Sequence, residues 1–424
     1  MLASRPRLLV LSHVVPVPRT TGQQQRVFYT LKAARDTFHV TFATSADDGD
    51  PASIREAMLP LCDDVLVLPS QRAPGTINKL WHFAKLWHFA ASSIYAVGTG
   101  LKRSNYFIGQ MQFPPARVAT LVDGRSFDCV LFEYWHAVAS TRVFRRRQIP
   151  CVLDMHDILW QAYRRQLDAQ PAVPGPWKRR ALDRYKDAEE QAWRDFDALI
   201  AINREEERYV RSILPHGAPI FHAAMGTDLD AWPYSWRPAR PDRMAYYGSF
   251  ASRHNQESAL MCARQIMPEI WRKYPDTELW LVGSHPPEFF RRLAAEDRRI
   301  RVTGYLENVQ DILSTMRLVL CPWSGTYGFR SRIVEVMALG IPTVASPDAV
   351  WGMELVDGEG LLLGERPEDL SRQALRLLDD RSFAGQQSRL ARRQVEQRFS
   401  IDRTYGQFMH ELAQWLSTRQ AIAS

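Results

Sequence analysis

The 424-residue sequence has few cysteines, and the five it has (Cys62, Cys129, Cys151, Cys262 and Cys321) are far apart, with no C-x-x-C pair. That excludes a disulfide scaffold and leaves His and Cys without zinc spacing. Three of the five lie in strand-like runs, which suits reduced core thiols in a cytoplasmic protein. No apolar run approaches the ~18 residues of a spanning helix. The basic, apolar start MLASRPRLLVLSHVVPVPR has Pro16 and Pro18 where a signal peptide would have a small-residue cleavage site, so residues 8–11 read as a buried strand. There is no P-loop, no G-x-S-x-G, and no G-x-G-x-x-G after the first strand. P-loop kinases, α/β hydrolases and dinucleotide-binding dehydrogenases are therefore disfavoured. The net charge of +7 comes without a zinc finger, an RNA-binding sheet signature or a basic zipper. Nucleic acid is set aside, and phosphates or anionic membrane surfaces remain as partners.

What is present is alternation. Apolar runs at 7–14, 38–44, 64–69, 127–133, 150–156 and 197–203 are separated by helix-like stretches. The same rhythm restarts at 243–249, 277–284, 299–305, 317–323 and 341–346. Continuous apolar strands between helices predict an α/β protein with parallel sheets covered on both faces. The stretch MGTDLDAWPYSWRPARPD at 225–242 carries three prolines and two tryptophans without a period. It reads as a linker at 226–242 between a first domain at 1–225 and a second at 243–400, with a closing helix at about 401–420.

The richest stretch is CPWSGTYGFRSRIVEVMALGIPTVAS at 321–346. A strand ends at Trp323, and a loop with Gly325 and Gly328 follows. Arg330 and Arg332 come next, then a helix carrying Glu335. Parallel α/β sheets bind ligands beyond their strands' carboxyl ends. A glycine loop entering a helix there offers backbone N–H groups and a positive dipole end to an anion. Two arginines add charge suited to a diphosphate, and Glu335 is placed for ribose hydroxyls. An ordinary Arg332–Glu335 surface pair is the competing reading.

In the first half, Gly22 follows the first strand and Arg26 lies one turn on; a solvated helix charge competes for Arg26. FEYWH places Glu133 and His136 at a strand's carboxyl end, and LDMHD does the same for Asp154, His156 and Asp157. Such residues serve as helix caps about as often as ligands. Asp48-Gly-Asp50 and Asp228-Leu-Asp230 match D-x-D only literally, and no metal is expected. The duplication KLWHFAKLWHFA at 79–90, with Lys79, Lys85, Lys102 and Arg103, suggests either a membrane-interface helix or a packed helical hairpin.

The run GFRSRIVEVMALGIPTVAS strongly resembles the donor-binding signature of retaining glycosyltransferases of the GT-B fold, glycosyltransferase family 4, in a surface-polysaccharide branch. YYGSFASRHNQESA resembles the first strand–loop–helix of that family's donor domain, ELWLVGS and VTGYLENV its next two strand ends, DGEGLLLGERPEDLSRQALRLL its late Gly–helix segment, and FSIDRTYGQFMHELAQWL the closing helix. PVPRTTGQQQRVFYTLKAARDTFHVT resembles its acceptor-domain opening. The resemblance implies two facing Rossmann-like domains, with the last helix crossing back to the first. It implies a nucleotide-diphosphate sugar bound by Gly248, Ser249, Asn255, Tyr305, Leu306, Gly328, Phe329 and Glu335, with no cofactor. Arg330 and Arg332 would stabilise the leaving diphosphate, and Glu133 would contact the transferred sugar. A glycan or lipid-linked oligosaccharide acceptor would meet Gly22, Arg26, His136, His156 and Asp157. The sequence departs from the family in two places. Tyr327 stands where the first of two glutamates is usual, and His254 and Asn255 stand where a lysine is common. These departures leave a silent glycan- or nucleotide-binding protein, or a nucleotide-sugar epimerase, as rivals. The basic clusters Arg142, Arg145, Arg146, Arg147 and Lys178, Arg179, Arg180 predict peripheral attachment to an anionic inner membrane face.

Overall fold

In a computed structural model of the chain, the described residues are 5–19, 21–46, 50–69, 112–168, 171, 173–214, 218–326 and 328–423. The duplication at 79–90, Lys102, Arg103, Asp48 and Tyr327 lie outside them. The chain divides into two units: Met1–Ala223 with Tyr405–Ser424, and Ala224–Thr404.

The first unit is built on seven strands: β1 (Arg7–Leu11), β2 (His39–Ser45), β3 (Asp64–Leu68), β4 (Cys129–Glu133), β5 (Cys151–Asp154), β6 (Ala198–Ala201) and β7 (Ile220–His222). They lie in the order β3-β2-β1-β4-β5-β6-β7, and every pairing is parallel. β1, β4, β5 and β6 are buried almost end to end, as expected of strands covered on both faces. Helix Gly22–Thr37 begins with a capping box. The Thr21 side chain accepts from the Gln24 N–H, and the Gln24 side chain accepts in return from the Thr21 N–H.

The second unit repeats the plan with β8 (Arg243–Tyr247), β9 (Glu278–Val282), β10 (Ile300–Gly304), β11 (Leu318–Cys321), β12 (Thr343–Ala345) and β13 (Leu361–Leu363). Their order is β10-β9-β8-β11-β12-β13, again wholly parallel. The fold is therefore α/β with two Rossmann-like domains. In each sheet the chain winds outward on one side and then jumps across the first strand. The reversal points are β1/β4 and β8/β11, where the connections diverge and leave a crevice at the strands' carboxyl ends.

Two edge strands, β7 and β13, were not anticipated. Each has only three residues and pairs on one side only, too short for periodicity to register. The stretch expected as a linker is a strap belonging to the second unit. Its prolines rule out regular structure, so its backbone bonds elsewhere: Arg237 N–H to Ser314 O at 2.8 Å and Ala239 N–H to Thr315 O at 2.9 Å. Trp236 donates to Met316 O at 3.0 Å, and Tyr234 bonds Ser388. The closing helix, Gln407–Ala423, groups with the first unit. Among the described residues, no helix is long and apolar enough to cross a membrane.

Candidate active site

At the reversal point of the first unit, β4 and β5 end on residues with left-handed backbone, Tyr134 (φ 74°) and His156 (φ 61°). Such φ values are strained for side chains of this size and turn the chain sharply as each strand ends. The turns stack the Tyr134 and His156 rings, with centroids 3.9 Å apart and planes 17° apart. Beneath them, His156 Nε2 and Glu133 Oε2 are 2.5 Å apart. Asp154 accepts two bonds from Arg26 Nε, at 2.8 and 3.0 Å, and one from the His156 N–H at 3.2 Å. All four of these charged or polar residues are buried.

Burial pushes the Asp154 carboxyl up, but the Arg26 guanidinium and His156 outweigh it and leave it below its usual value. Glu133 goes the other way. Burial, then the neighbouring Asp154 charge, raises it despite the bond to His156.

This geometry reassigns Arg26. It was expected to face the acceptor, but it is 1% exposed and spends its charge on Asp154 and, through Nη1, on Ala223 O at 2.9 Å. The reason is a contact 128 residues away in sequence, which nothing local to the helix announces. Gly22 is the exposed first residue of the same helix. Asp157 is half-buried just past His156, and His136 is buried at the start of the 3₁₀ turn Trp135–Ser140. His136 lies parallel to Tyr134 at 5.8 Å, and His13, two residues beyond β1, closes the group at 5.1 Å from Tyr134. His13 and Tyr134 were missed, although both follow strands that had been recognised.

Ligand atoms of Glu133, Asp154 and His156 come within 4.8 Å of one another. They are bonded to each other and to Arg26, with Glu133 Oε1 and Arg26 Nη2 buried without a hydrogen-bond partner among the described residues. Of the D-x-D aspartates, Asp50 caps helix Pro51–Met58, accepting from the Ser53 N–H. Asp228 accepts from the Asp230 N–H at 3.1 Å. Both are local turn devices.

At the reversal point of the second unit, the strand ends offer backbone. β11 runs into a loop with Gly325 (φ 101°) and Gly328 (φ 62°) and then into helix Ser331–Ala338. The loop is held open from within. Arg330 donates to Gly325 O at 3.0 Å and Gly328 O at 3.3 Å, with its guanidinium 4.5 Å from the Trp323 ring centre. Asp348 accepts from the Gly325 N–H at 2.7 Å. Arg332 lies 5.4 Å from the ring of Tyr247, the last residue of β8, and the Tyr247 phenol interacts with both Arg332 and the buried Glu335. Burial and the Glu335 charge raise the Tyr247 phenol above its usual range. Arg330, Arg332, Gly328 and Glu335 thus come together, with Tyr247, Trp323 and Asp348 as supports the sequence reading did not single out.

Gly248 and Ser249 continue β8. A Cβ on Gly283, which has φ 153°, would stand 1.8 Å from Gly248 O, so only glycine fits there. Asn255 was expected to meet the donor. Its amide instead faces inward, accepting from the Tyr246 hydroxyl at 2.8 Å and donating to Ser249 O at 2.7 Å. Phe329 packs toward Phe399 at 5.9 Å, and Leu306 packs against an apolar cluster. Tyr305 stands 78% exposed beyond β10.

Residues 21–220 match the family model for glycosyl transferase 4-like domains, and residues 241–380 match that for glycosyl transferases group 1. No curated protein matches the chain. Among solved structures, Anabaena HepE in complex with UDP is similar with a TM-score of 0.65 at 15% identity, covering 97% of this chain and 100% of the other. Sucrose-phosphate synthase from Thermosynechococcus elongatus gives a TM-score of 0.65 at 18% identity over 99% and 100%. A putative UDP-N-acetylglucosamine 2-epimerase from Listeria monocytogenes gives 0.53 at 14% over 96% and 95%.

Proposed function

We propose, for a chain that is a GT-B glycosyltransferase by the domain matched in each of its units, that it transfers a sugar from a nucleotide-diphosphate sugar to a glycan or lipid-linked oligosaccharide. The donor seats on the second unit and the acceptor on the first. One observation carries this reading: a glycine loop, two arginines and a buried glutamate meet at the start of helix Ser331–Ala338, at the sheet's reversal point. Anabaena HepE, similar in fold, has been solved with UDP and with UDP-glucose, which supports a nucleotide sugar as donor.

The chemistry follows from where charge develops. Breaking the bond between the anomeric carbon and the diphosphate leaves negative charge on the phosphate and an oxocarbenium-like sugar. Backbone N–H groups, Arg332 and the loop fixed by Arg330 are the groups suited to hold that charge. Glu335 takes the ribose hydroxyls. The acceptor oxygen bonds the anomeric carbon on the face the phosphate leaves, and its proton passes to the departing phosphate, so neither metal nor dedicated base is needed. Retention rests on the family resemblance. By the resemblance Glu133, here buried against His156, or else His136 contacts the transferred sugar, and the setting is surface-polysaccharide synthesis.

A hold on the inner membrane face would use exposed Arg142 and Arg146, and exposed Arg179 and Arg180 on the helix that carries Trp177, which is 53% exposed. Each basic residue contributes about 1 kcal/mol near anionic lipid. Co-sedimentation with anionic vesicles should occur at low salt and fade at high salt; none at low salt would end this membrane claim.

The deciding experiment incubates the protein with several nucleotide sugars. Nucleoside diphosphate release that needs an acceptor supports transfer. Isomerised sugar would make it an epimerase, and binding without turnover would make it a binding protein.

A further inference from the structure

The first unit holds a cavity of about 110 Å³ at its reversal point. Its floor is formed by His13, Tyr134 and His136. Tyr163 and Gln166 line it from helix Leu159–Asp168, and Tyr185 lines it from helix Gly175–Trp193. Gln23, Leu159 and Ala162 complete it, so among the described residues no Asp, Glu, Lys or Arg lines the wall. The volume is well below the ~300–1,000 Å³ of pockets that hold drug-sized molecules, which points to one ring rather than an oligosaccharide.

We infer that this cavity receives a single uncharged sugar ring of the acceptor and rejects uronic acids and sugar phosphates. This deepens, and rests on, the proposed transfer function. A pyranose has apolar C–H faces and a rim of hydroxyls. The cavity matches it with tyrosine rings for the faces and with Gln23, Gln166, His13 and His136 for the rim, groups that both donate and accept.

Asp157 adds a negative charge near Tyr134, and the buried charges behind the cavity are paired. Arg26 is bonded to Asp154, and Glu133 to His156, with the Tyr134 ring stacked on the His156 ring. On the lining helices, Arg164 lies over the Trp160 ring at 5.6 Å and Lys186 over the same ring at 5.1 Å. A carboxylate or phosphate entering the cavity would lose its water without meeting a cation among the described wall residues, a costly exchange. The histidines supply no cation near neutral pH. Burial, then His156, holds His13 down to about 4. Burial, then His13 and His156, holds His136 down to about 3.

Saturation-transfer NMR on the full chain tests this with methyl glucoside, methyl galactoside and methyl N-acetylglucosaminide as neutral probes. Methyl glucuronide and glucose 1-phosphate serve as charged ones. At least one neutral glycoside should bind at least tenfold more tightly than either charged probe. Ala162→Trp, which fills the cavity, should weaken that binding tenfold or more, and Gln166→Arg should shift the preference toward the charged probes. If Ala162→Trp melts early, Gln166→Arg decides. Equal binding of a charged probe, no binding of any glycoside, or indifference to both substitutions would overturn the inference. Glycoside binding without transfer from any nucleotide sugar would instead sink the transferase reading and leave the cavity assigned. Transfer to a uronic-acid acceptor would do the reverse.

Discussion

The two units share a winding plan but equip their reversal points differently. After β4 and β5, the first unit sets side chains in left-handed backbone, Tyr134 and His156, with a buried Glu133–His156 and Arg26–Asp154 network behind them. At or just beyond the ends of β9, β10 and β11, the second unit sets glycines in positive-φ backbone, Gly283, Gly304, Gly325 and Gly328, with His285 also so placed after β9. A polyanion is best met by bare N–H groups at close range, and glycine allows that approach. A sugar ring is read by side-chain rims and aromatic faces. Each sheet's own crevice is thus finished differently, mainly with backbone in the second unit and with side chains in the first.

The strongest way to break this contrast is to remove charge from the first unit. Arg26→Met leaves Asp154 buried and unpaired, and should cost about 3–5 kcal/mol of stability. Urea unfolding would show it as a lower midpoint, with nucleoside diphosphate affinity of the folded protein unchanged. Equal loss of nucleotide affinity would mean the two sites are not separate.

Next in size are Arg330→Ala and Arg332→Ala. A charge-assisted contact contributes about 1.5–3 kcal/mol, so kcat/KM for the donor should fall roughly 10- to 100-fold. The Arg332 variant tests direct phosphate contact and the Arg330 variant tests the loop. Wild-type kcat/KM in both would show that the diphosphate binds elsewhere. Glu335→Gln should raise donor KM and weaken nucleoside diphosphate inhibition alike. Unchanged nucleotide affinity with a collapsed kcat would move Glu335 from the ribose to the transferred sugar.

Glycine chemistry allows a subtler comparison. Gly328→Ala and Gly304→Ala each place an alanine at positive φ, at 62° and 73°, costing about 1–2 kcal/mol of strain. A Cβ on Gly304 meets no neighbour within 4 Å, so that variant should lose stability alone. The Gly328 variant should also raise donor KM. Matching donor KM values in the two would show that the loop backbone does not touch the phosphate.

The last comparison is in pH dependence. His13 and His136 are held below their ordinary value of 6.5, so the unfolded chain binds more protons between pH 6.5 and about 4. Their contribution is therefore favourable above that window and lost as pH falls through it. Glu133, raised in the fold, works the opposite way in part of the same range, so wild type against His13→Gln/His136→Gln isolates the histidines. The double variant should show a shallower loss of stability from pH 6.5 to 4; an identical slope would mean the histidines are not held neutral.

The sequence itself determined the alternation of buried strands and helices, because a strand covered on both faces must be a continuous apolar run. It also determined the glycine loop with Arg330, Arg332 and Glu335, whose parts are adjacent in the chain. Strand ends flagged Glu133, His136 and His156 because ligand sites in parallel sheets collect there. Three-residue edge strands escaped because they carry too little pattern, and the proline-rich strap because its partners are distant. The tertiary structure alone decided that Arg26 belongs to Asp154, that Asn255 turns inward, and that His13 joins Tyr134 and His136. Each of these depends on which segments folding brings side by side. A side chain's partner, unlike its period, is not written in its neighbours.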